Sequence, residues 1–223
     1  VNVSFWEKET FLSGIDLLVV GSGIVGISAA IEFKTRFPNK SVTILERGPL
    51  PFGASSKNAG FACFGSITEL NDDLSRMSED EVFSLVEKRW KGLQRLRSLI
   101  GDDKLQLRTN GGYELFTAAD HQEYQRSIET ITYLNSQLKS IVGETVYRTA
   151  DDKIDHFGFA GVDHLIFNQY EGQIDTGKMI HSFIELAKSL GISIINGVNV
   201  LNVSDNKNVI AETSIGPIVA ERS

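Results

Sequence analysis

Three glycines in the run Gly21-Ser22-Gly23-Ile24-Val25-Gly26, and one acid, Glu46, are the residues of this 223-residue chain whose types and spacing point most directly to chemistry. The spacing is G-x-G-x-x-G. Gly21 permits a sharp turn, Gly23 lets backbone come close to a pyrophosphate, and Gly26 lets the next helix pack tightly on the preceding strand. Glu46 follows about 20 positions later, where a carboxylate accepts hydrogen bonds from ribose hydroxyls and repels a 2′-phosphate. The chemistry this predicts is capture of the ADP-ribose half of a dinucleotide.

Such residues act only if the right elements hold them, and the flanking sequence supplies these. Ile15 to Val20 is a short, β-branched apolar run that reads as a strand, too brief to cross a membrane. The helix after the turn has Ile27, Ala30, Ile31 and Phe33 for a sheet-facing side and stops at Phe37-Pro38-Asn39. Its first N–H groups face the phosphates. Ser41 to Glu46 is the second strand, with Glu46 at its carboxyl end. A glycine turn that merely packs a βα unit is the alternative reading.

The chain then spends about 20 residues, Arg47 to Ser66, on small, polar and glycine positions, where a nicotinamide-binding domain usually enters its next helix. Such a loop can lie along an extended ligand, because Gly and Ala admit close backbone approach and Ser and Asn offer hydrogen bonds. The glycine motif, the Glu46-Arg47-Gly48 strand end and the segment Gly53-Ala54-Ser55-Ser56-Lys57-Asn58-Ala59-Gly60 together resemble the FAD-dependent amine and amino acid oxidoreductases, the group of D-amino acid oxidase, glycine oxidase and sarcosine oxidase.

That resemblance implies an FAD site built from Gly21, Ser22, Gly23, Ile24, Val25 and Gly26 at the pyrophosphate, and from Glu46, Arg47 and Gly48 at the adenosine ribose. It further implies that Ser55 and Ser56 bond phosphate or ribityl oxygens, with Ala54 in the same site, and that Asn58, Ala59, Gly60 and Phe61 lie by the flavin ring. Lys57 either neutralises phosphate or is simply solvated. Val200 is carried over by position alone, as backbone clasping the adenine. A surface loop is the alternative for residues 55–60. Cys63 reads as a small buried residue, because no basic neighbour in the sequence activates it; flavin attachment or a thiol nucleophile is the alternative.

Composition bounds the rest. With 41% hydrophobic and 23% charged residues a packed core is expected and disorder is not. A formal charge of −7 disfavours nucleic acid or an anionic membrane as partner. One cysteine precludes an internal disulfide and suits a reducing cytoplasm. No transmembrane segment or signal peptide is legible, since no run of 18 apolar residues occurs and Val1 to Phe11 carries Glu7, Lys8 and Glu9.

The fold class expected is α/β: a Rossmann-like FAD-binding domain with a parallel sheet and a β-meander, interrupted by an α+β substrate-side insertion. The boundaries expected are residues 1–70 for the first part of the FAD domain, 71–170 for the insertion and 171–223 for the return. In the insertion, Ser78-Glu79-Asp80-Glu81 is a capping box, and Val82, Phe83, Val86, Trp90, Leu93, Leu96 and Ile100 recur at helical spacing up to Gly101. Leu105 to Arg108 and Tyr113 to Thr117 read as strands of a hairpin turned by Thr109-Asn110-Gly111-Gly112. His156 and His164 match no zinc spacing, so no metal site is expected.

In the return, a helix from Asp175 to Gly191 precedes a strand at 192–195 that should join the parallel sheet. A meander follows, with turns at 204–207 and 214–216. Family members are longer than this chain, and it has no initiating Met, so a fragment is expected, with a sheet edge prone to self-association and poor FAD retention or activity on its own. The resemblance implies that the whole enzyme oxidises the C–N bond of a small-molecule amine or amino acid by hydride transfer to flavin N5, with no catalytic residue assignable. An NAD-dependent dehydrogenase and a non-catalytic FAD-binding module are the rival readings.

Overall fold

The computed structural model describes residues 3–205 and 208–222. They group into two compact units, one of residues 1–59 with 176–223 and one of residues 60–175.

The first unit begins with helix α1 (Phe5–Phe11), held by a Ser4 capping box, and strand β1 (Ile15–Val20). Helix α2 (Ile24–Arg36) buries Ile27, Ala30 and Ile31, and strand β2 (Val42–Glu46) is buried along its whole length. That unbroken burial is what a parallel strand covered on both faces shows, with Thr43 and Glu46 its polar members.

The second unit follows in chain order as β3 (Phe61–Ala62), α3 (Ile67–Leu74), α4 (Glu79–Ile100), α5 (Asp102–Leu105), β4 (Gly112–Phe116), α6 (His121–Leu138), β5 (Tyr147–Thr149), α7 (Ile154–Phe157), β6 (His164–Asn168) and β7 (Gly172–Gln173). The expected capping box starts α4: Ser78 Oγ accepts from Glu81 N, and Glu81 accepts from the Ser78 N–H. Gly101 ends that helix at φ +89°. The buried α4 residues Val82 and Val86 join Ile67 and Leu70 of α3, Leu134 and Leu138 of α6 and Tyr147 in one apolar core. β4, β6 and β5 form an antiparallel sheet with β6 in the middle.

Here the expected hairpin of 105–108 with 113–117 does not form. Leu105 closes α5, Gln106 is left-handed at φ +51°, and Arg108 pairs with Gln173 instead. Gly101 turns the chain directly into a first turn rich in acid, Asp102 and Asp103, which suits a helix N-terminus. Gly172 then admits the Arg108 backbone: a Cβ there would lie 2.4 Å from Arg108 O. β4 finds its partner in β6, within a stretch that carried no clear strand period.

The chain returns to the first unit through α8 (Thr176–Ser189), which packs on α2. β8 (Ser193–Asn196) joins β2 in parallel, as expected. β9 (Val200–Asp205), β10 (Val209–Thr213) and β11 (Gly216–Arg222) are the antiparallel meander. Residues 206 and 207 of the expected turn at 204–207 lie outside the described residues. The six strands run in the order β8-β2-β1-β11-β10-β9, so the last meander strand is also the parallel neighbour of β1. Leu18, Leu45, Val198, Ala211, Ile218 and Ala220 are buried together in this sheet. The glycine turn therefore leaves the carboxyl end of a central strand, the place where ligands bind in open α/β sheets.

Candidate dinucleotide site

Gly21 leaves β1 at φ +93°, a conformation open to glycine at little cost, and its N–H donates to Leu45 O at 2.8 Å. Gly26 sits against that same turn, where a Cβ would lie 2.1 Å from Gly21 O and 3.2 Å from a Val19 methyl. Gly23 is the N-cap of α2 and brings no capping side chain. The N–H groups of Val25 and Gly26 belong to a first turn that offers them no intrahelical acceptor. With the helix dipole behind them, they suit a diphosphate.

Glu46 lies against this turn. Its Oε2 accepts from Ser22 N at 2.9 Å and Ser22 Oγ at 2.7 Å, while Oε1 accepts from Gly48 N at 3.0 Å. Both side chains are buried, Glu46 being 6% and Ser22 0% exposed. Burial alone would push the carboxyl up. The donors from Gly48 and Ser22, helped by the Arg47 charge, outweigh it and hold the group below its ordinary value, so it is an anion near neutrality. Three of its roughly four acceptor positions serve the protein's own turn, and one on Oε1 is unspent.

Arg47 points to solvent, and Gly48 makes room for the bend that follows: a Cβ there would lie 2.4 Å from the Phe52 ring. Beyond that bend, Ala54–Ser56 forms a short 3₁₀ turn. Ser55 Oγ accepts from Ile24 N at 2.9 Å, which ties this loop to the first turn of α2. Ser56 donates to Pro51 O, and Asn58 donates to Ala54 O, so both side chains stiffen the loop itself. Lys57 Nζ lies 4.8 Å from the centre of the Phe52 ring, a cation–π contact on the surface. Ala59 is exposed. Val200 packs on the sheet core beside Val198. Replacing Ser55 with Ala is expected to leave the Ile24 N–H without that partner and to cost about 1 kcal/mol. Denaturant titration and FAD titration check it: a lower urea midpoint and a several-fold weaker Kd are expected.

Gly60 and Phe61 open the second unit. Gly60 is buried at φ +77° and its carbonyl accepts from Ile174 N at 2.8 Å; Phe61 pairs with Gln173 and its side chain is exposed. Cys63 is exposed, which corrects the buried position expected for it; burial of its sulfur surroundings, with Glu171 and Glu69 nearby, nevertheless pushes its thiol up rather than down. This unit also holds a cavity of about 240 Å³ whose wall includes Glu69, Glu114 and Glu171. No motif signalled it, because the three acids are far apart in sequence. Among the described residues, no group of three acids, histidines or cysteines is placed to hold a metal ion.

Residues 16–221 match the family model described as DAO, FAD dependent oxidoreductase. Glycine oxidase from Geobacillus kaustophilus has a similar structure, with a TM-score of 0.69 at 20% identity over 92% of this chain and 53% of that one. L-amino acid deaminase from Proteus myxofaciens is similar with a TM-score of 0.66 at 21% identity, over 94% of this chain and 44% of that one. A curated relative, the probable oxidoreductase OrdL of Haemophilus influenzae, is 32% identical over 76 residues, which is 34% of this chain and 17% of that protein. The chain thus spans about half the length of those solved structures, and at such identities the likeness is one of fold.

Proposed function

Because the chain belongs to the DAO family of FAD-dependent oxidoreductases, we propose that it binds FAD at the Gly21–Gly26 turn and serves an enzyme that oxidises the C–N bond of a small amine or amino acid. The observation that carries this reading is the lock between Glu46 and the turn. An acid at the end of β2, held by Ser22 and Gly48 with one acceptor position unspent, is what an adenosine ribose without a 2′-phosphate calls for.

When bound, FAD would supply the electron acceptor, taking a hydride at N5 from the carbon next to nitrogen, and water would hydrolyse the imine so formed. This chain's residues bind and orient. The first-turn amides of α2 meet the diphosphate, Gly23 lets it approach, and Glu46 orders the ribose while repelling a 2′-phosphate. Ser55 holds the 54–60 segment at the helix N-terminus. A cytoplasmic setting belongs to the same reading; among the described residues, no helix is long and apolar enough to cross a membrane.

The test is anaerobic titration of the whole FAD-loaded enzyme, not of this chain alone, with a panel of amines and amino acids, followed in the visible flavin bands. Bleaching by a subset of the panel is expected. A protein that takes up NAD in place of FAD, or that holds FAD no panel member reduces, would contradict the proposal.

A further inference from the structure

The turn that leads from β6 into β7 folds Glu171 back onto the β4-β6-β5 sheet, on the face to which Gly112 and Glu114 of β4, Asn168 of β6 and Tyr147 of β5 point. A Cβ on Gly112 would lie 1.9 Å from Glu171 Oε2 and 3.0 Å from its Cδ, so the carboxyl is seated on bare glycine backbone. Asn168, 4% exposed, braces this turn: its Oδ1 accepts from Tyr170 N at 3.0 Å and its Nδ2 donates to Glu171 Oε1 at 3.2 Å. Gly111 N closes it by donating to Glu171 O at 3.0 Å.

The Asn168 amide is the one hydrogen-bond donor that the Glu171 carboxyl has among the described residues. No lysine, arginine or histidine is part of the wall around it, and the charges that act on it are those of two further acids. Glu114 Oε1 accepts from the hydroxyls of Ser66 and Thr68, and Glu69 on α3 is paired with Arg89 of α4 at 2.8 Å. A half-buried carboxylate with one neutral donor and like charges beside it is costly; the protonated acid in the same seat is not. The turn runs straight into β7, where Gly172 and Gln173 pair with Ala62 and Phe61 of β3, and Ile174 N donates to Gly60 O at 2.8 Å.

We infer that Glu171 is a proton-operated latch: neutral, it holds the β6–β7 turn on Gly112, and on losing its proton it withdraws to water and loosens β7 from β3. The latch stands without the function proposed above. With it, the loosened strand is the one that carries Phe61, expected beside the flavin ring.

The direction of the pH effect follows from the charges. Burial, and then the charges of Glu114 and Glu69, push the Glu171 carboxyl up to about 7 against the opposing Asn168 bond. The remaining titratable groups on this face are Cys63 after β3 and Tyr147 on β5, and burial raises both. Because the seated carboxyl lies above the ordinary glutamate value of about 4.3, the closed turn holds its proton more tightly than the open one. Closure is therefore strongest below about pH 4.3, weakens as pH rises from there to about 7, and is flat beyond.

Hydrogen exchange of the 223-residue chain, read at the amides of Gly111, Gln173 and Ile174 and corrected for intrinsic rates, tests this. Their protection is expected to fall at least tenfold from pH 5 to pH 7.5. Glu171→Gln should keep the protection of pH 5 at both values. Gly112→Ala, which leaves the acid in place but fills its seat, should also lose the slope. Protection that is flat with pH in the unsubstituted chain, or a slope that survives in either variant, overturns the inference. Should the variants not fold, carbon-13 shifts of the glutamate carboxyls in the unsubstituted chain decide it: one carboxyl titrating near pH 7 is expected, and none titrating above about pH 5.5 overturns it.

Discussion

Gly26→Ala is expected to weaken FAD binding at least 100-fold, which corresponds to about 2.7 kcal/mol. The added methyl would lie 2.1 Å from Gly21 O and 3.2 Å from both Gly21 C and a Val19 methyl. None of these is the mobile end of a long side chain. The turn must open or α2 must lift from β1, and either change moves the first-turn amides that a diphosphate requires. Overpacking in a close-packed region costs about 1–3 kcal/mol on its own, so a lower urea midpoint is expected alongside the lost affinity. Gly53→Ala is the control: its Cβ would meet nothing within 4 Å, and its φ of −78° suits any residue. It should bind FAD like the parent, and a matching loss in both variants would contradict the role given to Gly26.

The second large effect is expected at Glu46. In Glu46→Gln one carboxylate oxygen becomes an N–H₂, which then faces either the Ser22 donors or the Gly48 N–H. A buried donor set against a donor costs about 1–3 kcal/mol, and loss of the charge weakens the remaining bonds, so a total of about 2–4 kcal/mol is expected. The pH dependence has a definite sign. The folded carboxyl lies below its ordinary value, so its contribution is full above the unfolded value of about 4.3 and fades as pH falls through the folded one. Urea midpoints between pH 3 and pH 8 should therefore show a wide gap between parent and variant at pH 7 that closes toward pH 3. A gap that stays constant across this range would deny that the ionised form makes these bonds.

Much of the glycine turn was legible because its constraints are local. A strand, three glycines and a helix follow one another within 22 residues, Ile15 to Arg36, and each glycine answers a backbone or packing demand visible in a single βα unit. Glu46 could be placed at the end of β2 from spacing alone, but not its three protein donors, which depend on how Ser22 and Gly48 fold around it. Ser55 was legible as a small polar residue in a long loop; that its Oγ accepts from the helix amide of Ile24 was not. The 105–112 segment misled, because a turn-like Asn110-Gly111 between apolar runs is a sound hairpin signal that here lost to pairing of Arg108 with Gln173, 65 residues later. β6 and the acid cavity were hidden for a related reason. His164–Asn168 carries its polar residues only at its two ends, which masks the alternation, and Glu69 on α3, Glu114 on β4 and Glu171 after β6 reach one wall only through the tertiary fold.

The most direct measurement of the dinucleotide site is a parallel titration of the chain with FAD, FMN and NADP⁺, read as Kd. FAD is expected to bind much more tightly than FMN, which lacks the adenylate half proposed for the Gly21–Gly26 turn and Glu46, and NADP⁺ is expected to be rejected for its 2′-phosphate. FMN binding as tightly as FAD, or NADP⁺ binding more tightly than either, would contradict the assignment.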